Sequence, residues 1–420
     1  MRTTSIRAAA AFAAALAFAT PGCSGLDPIS PPAPVTGSAD FSSYVAIGTS
    51  VTMGIQSNGL VEDLQRNSFP ALVAGAAGAN GGSFVQPLVP TPGILPVLAV
   101  TGFTPQGRPI LTPRPGPVPV GPSTPRPGDG YDNLGISGAV LTNALTKTTG
   151  DVPTNYFDLV LQGQGTMIRQ CLAQGPTFIS VEFGSNELIG GVLKGNPAYM
   201  IGALEFETLY DQMLDSLTTG APGAKLVLVN VPNLTNIAYA TAVPLDVTGP
   251  FAPGGAVVTI RLRDAAGPLP NGSRILLPAG ALIPSGYGFP SPAPPLPDSL
   301  VLTPIEVATI QAAVTQYNAI IATAAQQNGT ALADFNGAFA RAHGSGVTVG
   351  GVRYGTSYVS GGLFSFDGVH PSSLGYGLIA NEILRAVNTK YGATIPLVDL
   401  APLTQSGSAM AFGAPAAVLR

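Results

Sequence analysis

Residues 177–187 read Thr177-Phe178-Ile179-Ser180-Val181-Glu182-Phe183, followed at once by Gly184-Ser185-Asn186-Glu187. A short β-branched and aromatic run that stops at a glycine is the pattern of a buried parallel strand emptying into a turn. Lys225 to Val231 repeats the pattern, and Tyr44-Val45-Ala46-Ile47 before Gly48 is a shorter version of it. Ala331 to Phe335 is a weaker one. Helical periodicity over 138–148, 156–173, 199–218, 304–327 and 372–390 separates and closes these runs, with a further stretch from Val61 to Ala77 interrupted at Pro70. Strands alternating with helices of this length predict βαβ units, and so an α/β domain whose parallel sheet is covered on both faces.

The rest of the chain is unusual in composition. Charged residues make up 10% of its 420 positions, against roughly 25% in an average soluble protein. Glycine (53) and proline (41) fill the gap, and the net charge is −4. No Lys/Arg cluster appears, which argues against binding to a phosphate backbone. His343, His370, Cys23 and Cys171 are the only residues of their types. They are too scattered for a structural zinc site, and any histidine base has two candidates. No repeat of fixed period is present.

Two insertions interrupt the alternating pattern. Residues 84–130 hold 13 of the 41 prolines and a single acid, Asp129, and read as an extended loop. Residues 244–298 form a second proline-rich insertion, inside which Val257–Arg263 and Arg274–Leu277 are expected to pair as a hairpin.

The N-terminus reads as a targeting segment, residues 1–22. Arg2 and Arg7 precede an apolar run from Ala8 to Ala19, which at about 12 residues is too short to span a bilayer. Two processing readings stand. Ala17-Phe18-Ala19 suits ordinary signal cleavage, whereas Gly22-Cys23-Ser24 looks like a bacterial lipoprotein site that leaves Cys23 lipidated. A proline-rich tether over 23–42 fits the second. The domain then runs over 43–395, and 396–420 form a C-terminal tail.

In an open parallel sheet, reactive groups gather at the carboxyl ends of the strands. Four segments fall there. Ile47-Gly48-Thr49-Ser50-Val51 sets a serine at a strand-to-helix turn, as nucleophile or as a plain N-cap. Asn133-Leu134-Gly135-Ile136-Ser137-Gly138 offers glycine amides to a ligand oxygen, or is only a turn. Gly184-Ser185-Asn186-Glu187 adds a neutral amide donor, or again a turn. Asp367-Gly368-Val369-His370-Pro371 allows a carboxylate to orient an imidazole, although Asp-x-x-His is also an ordinary surface turn.

In this order the four blocks resemble the SGNH hydrolases, the GDSL-type esterase/lipase family, and Gly361 to Pro371 resembles the ending of its bacterial lipoprotein members. The resemblance implies a three-layer α/β/α sandwich, flavodoxin-like, with about five parallel strands. It implies Ser50 as nucleophile, His370 as base and Asp367 as its partner, with the Ser50 and Gly138 amides and the Asn186 side chain forming an oxyanion hole. Gly135 competes with Gly138 for that place. Thr49 stands where the family name has Asp, and Glu187 where Asp usually follows the Asn. Neither position transfers a proton in the family mechanism, so changed hydrogen bonding around the site is expected.

The function implied is an extracytoplasmic serine ester hydrolase, needing no metal or organic cofactor and acting on lipid, acetyl-sugar or small acyl esters. It would be held to a bacterial envelope membrane through Cys23, or else be periplasmic or secreted. The alternative is a catalytically idle relative serving as an envelope binding or scaffold protein. For the first insertion, an acyl-pocket lining or lid over Ser50 stands beside a plain coat on the sheet edge. His343 reads as a surface loop residue and Cys171 as a buried thiol, while Asp334 could reach the active edge but reads better as a cap or a loop hydrogen-bonding residue.

Overall fold

A computed structural model describes residues 34–103, 109–150, 156–251 and 255–405. The targeting segment, Cys23, most of the tether and the end of the tail lie outside the described residues. The strands are β1 (Tyr44–Gly48), β2 (Leu98–Phe103), β3 (Pro109–Pro113), β4 (Phe178–Glu182), β5 (Lys225–Val229), β6 (Asp246–Gly249), β7 (Val258–Arg261), β8 (Arg274–Ile275), β9 (Val301–Leu302), β10 (Ala331–Ala333), β11 (Val347–Val349) and β12 (Val352–Tyr354). The first six helices are α1 (Ser50–Met53), α2 (Glu62–Gln65), α3 (Phe69–Ala77), α4 (Leu141–Thr146), α5 (Tyr156–Leu161) and α6 (Met167–Ala173). The rest are α7 (Ser185–Leu193), α8 (Ala203–Gly220), α9 (Ala238–Thr241), α10 (Pro304–Gln327), α11 (Phe335–Ser345) and α12 (Ser373–Tyr391).

The central sheet has four parallel strands in the order β1-β4-β5-β10. A fifth segment, 132–136, lies along the outer edge of β1. Ala46 N–H donates to Asp132 O, and the Leu134 and Ile136 amides donate back to Ala46 and Gly48. Its pairing is a single parallel bridge at Asn133, because the Asn133 amide turns onto Thr52 O at 2.9 Å and Gly135 is pressed against α1. With that segment counted second, the order is 2-1-3-4-5, the flavodoxin-like arrangement. The reversal point lies between β1 and β4.

Both faces of the sheet are dry, which explains the near-continuous apolar runs. Val45, Ile47, Ile179, Val181, Leu226 and Leu228 point to the side packed by α6, α8 and α10. Tyr44, Ala46, Phe178, Val227 and Val229 point to the side packed by α3 and α12. Helix, sheet and helix thus form three layers. Among the described residues no helix is long and apolar enough to cross a membrane.

Several local expectations change. The helix expected over 156–173 is two, since Gln162, Gly163 and Gly165 take positive φ between α5 and α6. Helices α7 and α11 and the β11–β12 hairpin are additional elements. In the second insertion, β7 pairs with β6, and β8 pairs with β9 near residue 301, so the expected partners do not meet. That insertion closes over its own cluster of Leu262, Leu269, Ile275, Leu296 and Val301. Residues near both ends of the domain are held by α12. Ser38 N–H donates to Tyr391 O, and Val398 exchanges two hydrogen bonds with Asn381.

Candidate active site

β1 delivers the chain to Gly48, and Thr49 caps α1 through its hydroxyl, which accepts from Val51 N–H at 3.4 Å. Ser50 is therefore the first helical residue and not the cap. Its amide is one of the orphan donors of the first turn, and the residue is 7% exposed. Thr49 also donates twice to Glu182 Oε2, through its amide at 3.1 Å and its hydroxyl at 2.8 Å. Thr52 donates to the same oxygen at 3.0 Å. Burial pushes the Glu182 carboxyl up to about 7, against the pull of the Thr49 and Thr52 hydrogen bonds. The position where Asp was expected thus holds a neutral hydroxyl, bonded to an acid on the neighbouring strand.

The turn before α12 brings Asp367 and His370 together. Asp367 Oδ2 lies 2.9 Å from His370 Nδ1, and His370 Nε2 lies 2.9 Å from Ser50 Oγ. Asp367 Oδ1 takes the Val369 and His370 backbone amides, each at 2.8 Å. Asn58 N–H adds a bond to Oδ2 at 2.8 Å. Burial raises the Asp367 pKa, but the facing imidazole and these donors outweigh it and bring the group down to about 2. A carboxylate this firmly ionised fixes the imidazole with Nε2 toward the serine.

The Asn58 donor comes from a tight turn in which Ser57 and Asn58 both take positive φ. Ser57 is clamped on the other side by Ser365, whose Oγ accepts its amide at 2.8 Å, while Ser57 Oγ accepts from Phe366 N–H. Its carbonyl takes Leu98 N–H at the base of the β2–β3 hairpin. The first insertion therefore braces the Asp367 turn. Among the described residues, none of the first insertion lines the cleft around Ser50.

Gly138 and Gly135 separate clearly. Gly138 has φ +79, and its Cα faces open space. A Cβ on Gly135 would strike Thr52 and Met53, so that glycine serves the packing of α1. Asn186 sits in the first turn of α7 and donates one amide hydrogen to Ala139 O at 2.8 Å, tying it to the Gly138 turn. Its second N–H has no acceptor among the described residues. Glu187 is buried and accepts from Leu141 and Gly184 amides, at 2.8 and 3.0 Å. It fastens α4 to the head of α7. Gly184 itself has φ +116, which admits few other residues.

Ser50, Asn186 and His370 open into one cavity of about 260 Å³. Its walls are mainly apolar and come from α11, α12 and the segments holding Leu234, Ile237 and Phe364. His343 lies on α11, not in a loop, and its Nδ1 meets Thr356 Oγ1 at 2.8 Å, away from the cavity. Asp334 caps α11 through Gly337 N–H. Cys171 is buried, its thiol pushed up to about 12 by desolvation. The sequence reading missed Glu182, whose signal was an acid inside an otherwise apolar strand. It also missed the Ser57–Asn58 turn, which had no signal beyond Ser-Asn-Gly.

Residues 44–383 match the family described as GDSL-like Lipase/Acylhydrolase. No match was found among curated protein sequences. Among solved structures, an extracellular lipase from Streptomyces rimosus is 14% identical, with a TM-score of 0.38 over 82% of this chain and 98% of the other. A phospholipase A1 from Streptomyces albidoflavus is also 14% identical, with a TM-score of 0.35 over 83% and 98%. An acetylxylan esterase from Geobacillus stearothermophilus is 14% identical, with a TM-score of 0.36 over 82% and 93%. With its family match running from β1 well into α12, the chain belongs to the GDSL-like lipase/acylhydrolase family of carboxylic ester hydrolases.

Proposed function

We propose that the protein is an extracytoplasmic serine esterase in which Ser50 attacks, His370 moves the proton and Asp367 holds the imidazole. The observation that carries this reading is the unbroken relay from Asp367 Oδ2 to His370 to Ser50 Oγ, with both links at 2.9 Å. His370 Nε2 takes the Ser50 proton as Oγ bonds to the ester carbonyl carbon. The carbonyl oxygen becomes an oxyanion, received by the Ser50 and Gly138 amides and the free N–H of Asn186. The imidazolium then returns the proton to the departing alkoxide oxygen. Water repeats the sequence on the acyl-enzyme, releasing the acid and restoring Ser50.

Labelling of residues 36–420 with a fluorophosphonate probe tests it, beside Ser50→Ala and His370→Ala. Labelling of the parent that disappears in both variants is expected. A folded parent that takes no label would favour the idle scaffold, and label surviving Ser50→Ala would move the nucleophile elsewhere.

Lipid attachment at Cys23 belongs to the same proposal, supported by Gly22-Cys23-Ser24 and the proline-rich stretch after it. In a bacterial host the full chain is expected in the membrane fraction, and Cys23→Ser in the soluble one. Equal partitioning of the two would sink the anchor.

A further inference from the structure

The cleft runs well past Ser50. From α12 it takes Gly375, Leu378, Ile379, Glu382 and Arg385, a single stripe at helical spacing. Facing it stand Phe339 and Ala342 of α11. From Gly375 to Arg385 the stripe covers about 15 Å at 1.5 Å per residue. Its first part is apolar and its end is not.

At that end Arg341 and Arg385 both approach Glu382 Oε2, at 3.4 and 3.1 Å. The Glu382 side chain is 15% exposed, whereas the two arginines are 65% and 54% exposed. Two guanidiniums share one carboxylate, which leaves one positive charge in excess. Each arginine carries five N–H donors, and one is engaged on each among the described residues. Glu382 and Arg385 also border a second recess of mixed lining, where Thr330, Thr389 and Lys390 stand beside Leu332 and the acid Asp334. As exposed ion pairs these contacts add little to stability, and all three side chains line the cleft. In a chain where charge is this scarce, two partly exposed guanidiniums at the end of an apolar groove present donors in the geometry that suits a carboxylate or a phosphate.

We propose that the preferred substrate is an ester whose apolar arm ends in an anionic group, carboxylate or phosphate, held by Arg341 and Arg385. Glu382 orients the two guanidiniums. The inference rests on Ser50 marking the position of the ester.

Binding to the Ser50→Ala protein tests the inference without turnover. The probes are linear methyl half-esters with a terminal carboxylate, their phosphate-terminated counterparts, and uncharged methyl esters of equal length. Their lengths are chosen to span about 15 Å, and titration calorimetry is run below micelle formation. Anionic probes should bind about tenfold tighter than neutral ones at low salt, and the margin should shrink as salt screens the pair. Replacing both arginines, Arg341→Gln with Arg385→Gln, should abolish the margin, and the two lysine substitutions should restore part of it. Binding of one anion type alone assigns the end-group and supports the inference. Equal affinity for charged and neutral probes, no binding of the anionic probes up to about 1 mM, or a margin that survives the double Gln change would overturn it. Arginine-dependent binding together with a parent that takes no fluorophosphonate would keep the anion site at Arg341 and Arg385 but overturn the ester half of the inference along with the Ser50 assignment.

Discussion

Thr49 and Glu182 are bonded twice: the amide and the hydroxyl of Thr49 converge on one oxygen of Glu182, at 3.1 and 2.8 Å. The contact joins the ends of two adjacent strands directly beneath Ser50. The burial of Glu182, which outweighs the Thr49 and Thr52 hydrogen bonds, makes stability depend on pH. In the unfolded chain the Glu182 carboxyl releases its proton near 4.5, and in the fold it keeps it up to about 7. The folded state holds more protons in that window, so stability falls as pH rises from about 4.5 to about 7, by roughly 3 kcal/mol. Glu182→Gln should flatten this part of a urea-unfolding profile. Parallel profiles for parent and variant would contradict the assignment.

Asp367 acts in the opposite sense. Its folded pKa of about 2 lies below the ordinary 3.8. Its contribution is therefore complete above pH 3.8 and is lost as pH falls toward 2, amounting to about 2 kcal/mol. Asp367→Asn should remove that acid-side loss. It should also lower kcat by about 10³–10⁴-fold by favouring the wrong imidazole tautomer, with little change in KM. Steady-state kinetics on a chromogenic ester would show it, and a variant within tenfold of the parent would rule out the orienting role.

The two glycines before α4 predict different failures. Gly135→Ala drives a methyl into Thr52 and Met53, and should cost about 3 kcal/mol of stability. Gly138→Ala meets open space but keeps a φ of +79, costing about 1–2 kcal/mol. As its backbone relaxes, the amide swings away, and kcat should fall about tenfold or more at nearly constant KM. Asn186→Ala should cost about 10²–10³-fold in kcat. Thermal melts beside kinetics separate the cases, and a Gly138→Ala enzyme of unchanged kcat would remove that amide from the oxyanion hole.

Leu98→Pro deletes the amide that holds Ser57 O. If the first insertion braces Asp367, rates should drop by a common factor for short and long acyl esters. A lid would change the chain-length profile instead, and hydrolysis rates across an acyl series decide between the two.

Much of the layout was legible because it is local. The runs at Tyr44, Thr177 and Lys225 are apolar throughout because both sheet faces are covered. The boundaries of α10 coincide with its cap signals, Thr303-Pro304 before it and Asn328-Gly329 after it. Ser50, Asp367 and His370 stood out through the order of their blocks. What stayed hidden depends on burial or on distant pairing. Helices α7 and α11 each contain two glycines, at 190 and 191 and at 337 and 344, and have weak intrinsic propensity. They are held by packing instead, with Leu188 and Val192 on one and Phe339 and Ala342 on the other. Without α11 the cleft has no second wall, so its direction was unreadable. The β8 partner lies 27 residues along at β9, and no neighbouring residue announces it.

Helix α12 runs without a break from Ser373 to Tyr391. At its far end Tyr391 Oη donates to Leu226 O at 2.6 Å and accepts from Ala331 N–H at 3.2 Å, so it cannot slide along the sheet. For the substrate proposed above it acts as a calliper, one jaw at His370 just before its first turn and the other at Arg385. Substrate length then becomes a matter of counting turns. Moving that cation one turn outward, Arg385→Gln with Thr389→Arg, should lengthen by about 6 Å the anionic probe that the Ser50→Ala protein binds most tightly in calorimetry.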